Sequence, residues 1–245
     1  TGSGKTLAAF LWAIDALSVQ PIPAPGEPGT RVLYISPLKA LAVDVERNLR
    51  TPLTGITRIA ERHGTAAPDI SVGLRSGDTP ANRRRELITT PPDILITTPE
   101  SLFLMLTSAA RETLATVQTV IVDEVHAVAG TKRGAHLALS LERLDALLAR
   151  PAQRIGLSAT VRPAEEVARF LSGTRPGTQI VSPPAAKTFD LAVQVPVPDM
   201  ANLENNTIWP DVEQRIVDLI ETHRSSIVFA NSRRLAERLT ARINE

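Results

Sequence analysis

Residues 1–6, Thr1-Gly2-Ser3-Gly4-Lys5-Thr6, run without interruption into the apolar stretch TLAAFLWAIDAL. Gly2 and Gly4 let the backbone curl so that successive N–H groups face one way, and the helix expected next adds its positive N-terminal end. Together these make a cradle for a phosphate chain. Lys5 supplies a mobile charge for the outer phosphates, and the Thr6 hydroxyl suits Mg²⁺. Lysine is otherwise scarce: of 27 Lys plus Arg, only Lys5, Lys39, Lys132 and Lys187 are lysine, so one falling inside the loop carries weight.

The complementary chemistry stands at 119–126, TVIVDEVH. A hydrophobic strand runs straight into two acids, with Asp123 suited to holding a metal and Glu124 to polarising an attacking water. The phosphate loop and this acidic strand end, in this order, predict a nucleoside triphosphatase.

Segments elsewhere alternate between strand-like and helix-like, the pattern of a parallel sheet covered by helices. Strands are expected at 31–36, 70–74, 93–98, 119–124, 154–159 and 178–182. A helix over 135–149 carries Leu137, Leu141, Leu144 and Leu148 as one stripe. Another starts at Pro163 and stops at Gly173, while Pro52 should break the helical run that follows Pro37. Residues 21–30 are too rich in Pro and Gly for either ladder. Near 183–209 the chain turns extended and proline-punctuated, which predicts an interdomain connection. A new unit begins at 210, with a helix bearing Val212, Ile216 and Ile220, a buried strand over 225–231, and a helix capped by Ser232. Three elements cannot bury a core, and a phosphate loop needs a preceding strand, so the expectation is an excerpt of a longer polypeptide.

Composition bounds the rest. With 43% hydrophobic and 22% charged residues the chain is globular rather than disordered, and a net charge of +1 leaves any nucleic-acid contact to local clusters. The absence of cysteine excludes disulfides, thiolate zinc sites and thiol nucleophiles, and fits a cytoplasmic protein. No apolar run is long enough for a membrane span.

Taken in order, TGSGKT, SPLKALAVD, SGDT, TTPES, DEVH, SAT and VFANSRR resemble the serial motifs of superfamily 2 helicases. The stretches LRSGDTPANRRRELITTPPDILITTPESLFLMLTS and GLSATVRPAEEVARFLSG are similar to those of the large helicase-related (Lhr) proteins. The resemblance implies a RecA-like first lobe over 1–182, a connection over 183–209 and the start of a second lobe over 210–245. It implies ATP and Mg²⁺ as cofactors, with Gly2, Ser3, Gly4, Lys5 and Thr6 on the triphosphate, Asp123 and Thr6 on the metal, and Glu124 on the water. His126 would link this site to Ser158 and Thr160. The last motifs of a second lobe, with their arginine finger, do not occur in these residues, so the stretch alone should hydrolyse little ATP.

A motor indifferent to sequence must grip phosphates through hydroxyls, backbone N–H groups and a few cations. Several expected strand ends carry such groups, and ligands of open α/β sheets gather at that edge. These are Ser36, Pro37 and Lys39; Gly77, Asp78 and Thr79; Thr97, Thr98 and Pro99; and, in the second unit, Ser232 and Arg233. With 3% aromatic residues, stacking platforms are scarce and backbone grip should dominate. Arg83, Arg84 and Arg85 are read as a solvated helix face. The expected partner is single-stranded DNA or RNA, with an RNA–DNA hybrid also compatible. Strand separation, a translocase or RNA helicase of the same superfamily, and a nucleotide-gated clamp all stay open; Glu124 weighs against the clamp.

Overall fold

The computed structural model describes residues 4–20, 29–159, 161–182, 188–203 and 207–244. Gly2, Ser3 and Thr160 lie outside them. The chain divides into two units, residues 1–182 and 183–245.

The first unit is built on a five-stranded sheet in the order β2-β3-β1-β4-β5, formed by β1 (Val32–Ile35), β2 (Val72–Arg75), β3 (Ile94–Thr97), β4 (Thr119–Val122) and β5 (Gln153–Gly156). Every pairing is parallel, so all carboxyl ends share one edge. Side chains of a strand alternate between faces, and each central strand feeds two cores. Leu33, Ile35, Leu95, Val120 and Val122 point to one side and pack with α4 (Pro99–Leu106), α6 (Lys132–Leu147) and α7 (Ala164–Ser172). Val32, Tyr34, Ile94, Ile96 and Ile121 point to the other, against α1 (Lys5–Ser18) and α2 (Lys39–Arg62). Each fully buried aliphatic side chain contributes about 1.5–3 kcal/mol, and the continuous apolar runs of β1, β3 and β4 follow from burial on both faces.

At the opposite edge from the carboxyl ends, Arg31 reaches Asp93 at 2.5 Å, and the other Asp93 oxygen accepts from the Ser71 backbone N–H at 2.8 Å. This buried pair fixes the entry points of β1, β2 and β3.

Three expectations need correction. Helix α2 continues through Pro52, because Val45, Leu49, Leu53 and Ile56 keep one apolar stripe on the core across the missing N–H donor. Residues 178–182 form no strand: Thr178 is tied back to α7, its N–H donating to Ser172 Oγ at 3.0 Å, and Val181 is 81% exposed. Residues 225–231 are neither strand nor buried, with Phe229 90% exposed. A strand exists through its ladder, and among the described residues no extended neighbour pairs with this segment.

Other elements follow their signals. Pro163 precedes α7 and Gly173 ends it with φ 61°, a conformation that costs glycine little. In the second unit α8 (Trp209–Thr222) and α9 (Arg233–Ile243) pair through Arg242 and Glu213 at 2.8 Å, and Ser232 caps α9 by accepting from the Leu235 N–H. Among the described residues no helix is long and apolar enough to cross a membrane.

Candidate nucleotide and nucleic-acid sites

Gly4 sits at φ 71° at the start of α1, a left-handed turn that aims the first N–H groups of the helix outward. Lys5 and Thr6 form the first turn. They face the end of β4 across a cleft of about 470 Å³ lined by Gly4, Lys5, Thr6, Asp123, Glu124 and Ser158. A volume of that order suits a small-molecule ligand.

The chain leaves β4 through Asp123, whose N–H still donates to Ile35 O at 2.9 Å, so the carboxylate is placed by the sheet itself. Asp123 is 8% exposed. Its Oδ1 accepts from the Glu124 N–H at 2.9 Å, and its Oδ2 accepts from the Tyr34 hydroxyl. Glu124 adopts φ 42°, the one left-handed non-glycine residue among those described. That strained turn carries its side chain toward the helix α5 (His126–Ala129), where Glu124 Oε2 lies 3.4 Å from His126 Nε2. The other ring nitrogen, Nδ1, lies 3.2 Å from Ser158 Oγ and accepts from the Ala159 N–H at 3.3 Å. A backbone N–H can only donate, which assigns the ring proton to Nε2 and points it at Glu124. The acid, the imidazole and the end of β5 thus form one connected line.

Sequence reasoning missed Tyr34. Its signal was a phenol in the middle of an aliphatic strand, which must find a polar partner when buried. Burial, then the hydrogen bond and charge of Asp123, push its hydroxyl pKa far above the ordinary range, so it stays protonated and donates.

The strand-end groups expected to meet nucleic acid are brought to one edge but are committed unequally. Lys39 Nζ, at the start of α2, pairs with Asp78 at 2.7 Å, and Gly77 lies close beneath that lysine. Thr79 Oγ1 accepts from the Ser76 N–H at 2.8 Å. Arg84 folds back to donate to Gly77 O at 2.8 Å rather than lying on a solvated face, whereas Arg83 is exposed and pairs with Glu86. The hydroxyls of Ser36, Thr97 and Thr98 are turned inward: Ser36 donates to Leu38 O, Thr97 to Arg75 O, and Thr98 caps α4. Pro37 and Pro99 are buried. Glu100 is held by Arg133, with Nη2 2.9 Å from Oε2, and this hydrogen bond is the main reason its carboxyl lies below the ordinary range. In the other unit Ser232 is spent on its cap, and Arg233 pairs with Glu237 at 2.9 Å.

Residues 1–169 match the family described as DEAD/DEAH box helicase. The chain belongs to that family. This helicase sequence is 81% identical over 245 residues to the Lhr helicase/probable uracil glycosylase of Mycolicibacterium smegmatis, covering 100% of the chain and 16% of that relative. It is 56% identical to the Lhr helicase/uracil glycosylase of Escherichia coli, covering 100% of the chain and 17% of that protein. Its fold superposes with a TM-score of 0.81 on the structure of Mycobacterium smegmatis helicase Lhr bound to ssDNA and AMP-PNP, at 80% identity over 99% of this chain and 30% of that one. The chain therefore spans about a sixth of the length of these two relatives.

Proposed function

We propose that this chain is the nucleotide-binding part of an ATP-driven motor that moves along single-stranded nucleic acid and separates duplexes. Residues 1–182 would be its first RecA-like lobe, 183–209 the connection, and 210–245 the start of a second lobe. The observation that carries the reading is the line from Glu124 through His126 to Ser158 and Ala159. It joins an acid beside the phosphate cleft to the next strand end, which is what a machine that converts phosphate chemistry into movement needs. The AMP-PNP and ssDNA of the Mycobacterium smegmatis structure support the same reading.

The donor set fits Mg²⁺. Thr6 and Asp123 line the same cleft, and the Tyr34 hydroxyl fixes the Asp123 carboxylate there, so two hard oxygens are offered to one space. Each Asp123 oxygen keeps a lone pair beyond its one protein bond. Among the described residues no cluster of three or more acidic or histidine groups could hold a metal alone, which suits an ion that arrives with its phosphates. Mg²⁺ would neutralise charge on those phosphates. Lys5 would compensate the outer phosphates, Glu124 would take a proton from the attacking water, and the Nε2–H of His126 would hold Glu124 until the nucleotide departs. Grip on the strand would rest on the N-termini of α2 and α4 and on Lys39, giving salt-dependent binding with little sequence preference.

The full-length protein tests this. Lys5→Ala should abolish nucleotide binding, and Glu124→Gln should bind ATP while losing about 10²–10⁴ in turnover. Normal hydrolysis by both variants would remove the assignment. Nucleotide-dependent strand binding by a wild-type protein that never turns over ATP would favour the clamp instead.

A further inference from the structure

Tyr34 is wholly buried, yet it sits where nothing in strand pairing requires a phenol. Its neighbours on the same face of β1 and β3 are Val32, Ile94 and Ile96, all aliphatic. Its ring stacks on Phe10 of α1, with centroids 4.9 Å apart and planes 19° from parallel. That places its oxygen where the first turn of α1 meets the end of β4. The hydroxyl donates to Asp123 Oδ2, with the Thr6 side chain beside it. One rigid group thus touches Asp123 and stands next to Thr6, the two residues assigned to the metal side of the nucleotide site.

A buried phenol has one proton to give, and here it goes to the carboxylate. The ring cannot swing, because β1 is buried on both faces and Phe10 covers it. Asp123 is thereby confined to one orientation before any ligand arrives. Outer partners of this kind orient metal ligands, and removing them weakens metal affinity by roughly 10–100-fold.

Resting on the proposed nucleotide site, we propose that Tyr34 is a positioning residue that braces Asp123 and so presets the magnesium side of the cleft, without itself touching nucleotide. Nucleotide binding through Lys5 and the phosphate loop does not depend on this brace; only the metal-dependent share does.

The test is calorimetric binding of AMP-PNP to the full-length protein, with Mg²⁺ and with EDTA. Tyr34→Phe keeps the ring and its stacking and deletes the oxygen. Affinity in Mg²⁺ should fall about tenfold, while affinity in EDTA stays within about twofold. Equal affinity to wild type in Mg²⁺, or an equal loss under both conditions, overturns the proposal. If Tyr34→Phe does not fold, Phe10→Leu decides: it keeps every polar group but frees the ring, so it should show the same magnesium-selective loss at smaller size, and no selective loss overturns the brace. A wild-type protein that binds AMP-PNP under neither condition would instead defeat the nucleotide-site reading itself.

Discussion

Ser158 Oγ lies 3.2 Å from Nδ1 of His126, and this contact joins the carboxyl end of β5 to that of β4. The Ala159 N–H donates to the same nitrogen, so the hydroxyl is one of two partners. Ser158→Ala in the full-length protein should leave ATP turnover within about twofold and lower unwinding about fivefold. His126→Ala, which also releases Glu124, should lower unwinding by about fiftyfold or more. Parallel rate assays decide; equal loss of turnover and unwinding in Ser158→Ala would make this contact part of the nucleotide site alone.

Glu124 holds φ 42°. A side chain in that region costs about 1–2 kcal/mol, which glycine avoids. Glu124→Gly and Glu124→Ala both lose the carboxylate, but the glycine variant should be the more stable by about 1 kcal/mol in denaturant titrations. A less stable glycine variant would mean the turn is relaxed in solution.

The Arg31–Asp93 pair is buried, with side chains 6% and 11% exposed, whereas Lys39–Asp78 is open at 57% and 73%. Asp93→Ala should therefore cost about 3–5 kcal/mol, since it strips a buried guanidinium of its carboxylate. Asp78→Ala should cost no more than about 1 kcal/mol. Urea midpoints of the two variants check the ranking.

Glu100 is held below the ordinary carboxylate range, chiefly by its hydrogen bond from Arg133. A depressed folded-state value means that its stabilising effect is present above the unfolded pKa and is lost as pH falls through the folded one. Melting temperature should drop on acidification through and below the usual glutamate range, and Glu100→Gln should flatten that limb. An unchanged acid limb in the variant would show the pair to be inert.

Much of the fold was legible because β1, β3 and β4 are buried on both faces and their apolar runs state it. That Gly4, Lys5, Thr6, Asp123 and Glu124 would meet around one cleft was legible, because the motifs set a turn, a charge and two acids in fixed order. Pairing was not legible. Residues 225–231 have the composition of a strand, but composition does not say whether a neighbour is there to bond. Pro52 misled for the converse reason, since the stripe from Val45 to Ile56 outweighs one lost donor. Tyr34 and the Arg31–Asp93 pair escaped because each joins segments far apart in the chain, and no local pattern records such a meeting.

Only Asp123, Glu124 and Val125 separate the end of β4 from the start of α5. Val125 is clamped by its N–H to Leu157 O at 2.9 Å, as Asp123 is to Ile35 O. An added residue would put those two hydrogen bonds out of step with each other, sending either the acid or the imidazole away from the cleft. This link should therefore be far less tolerant of a change in length than of a change in side chain, and insertions that lengthen such proteins must settle elsewhere, in connections that no strand holds at both ends.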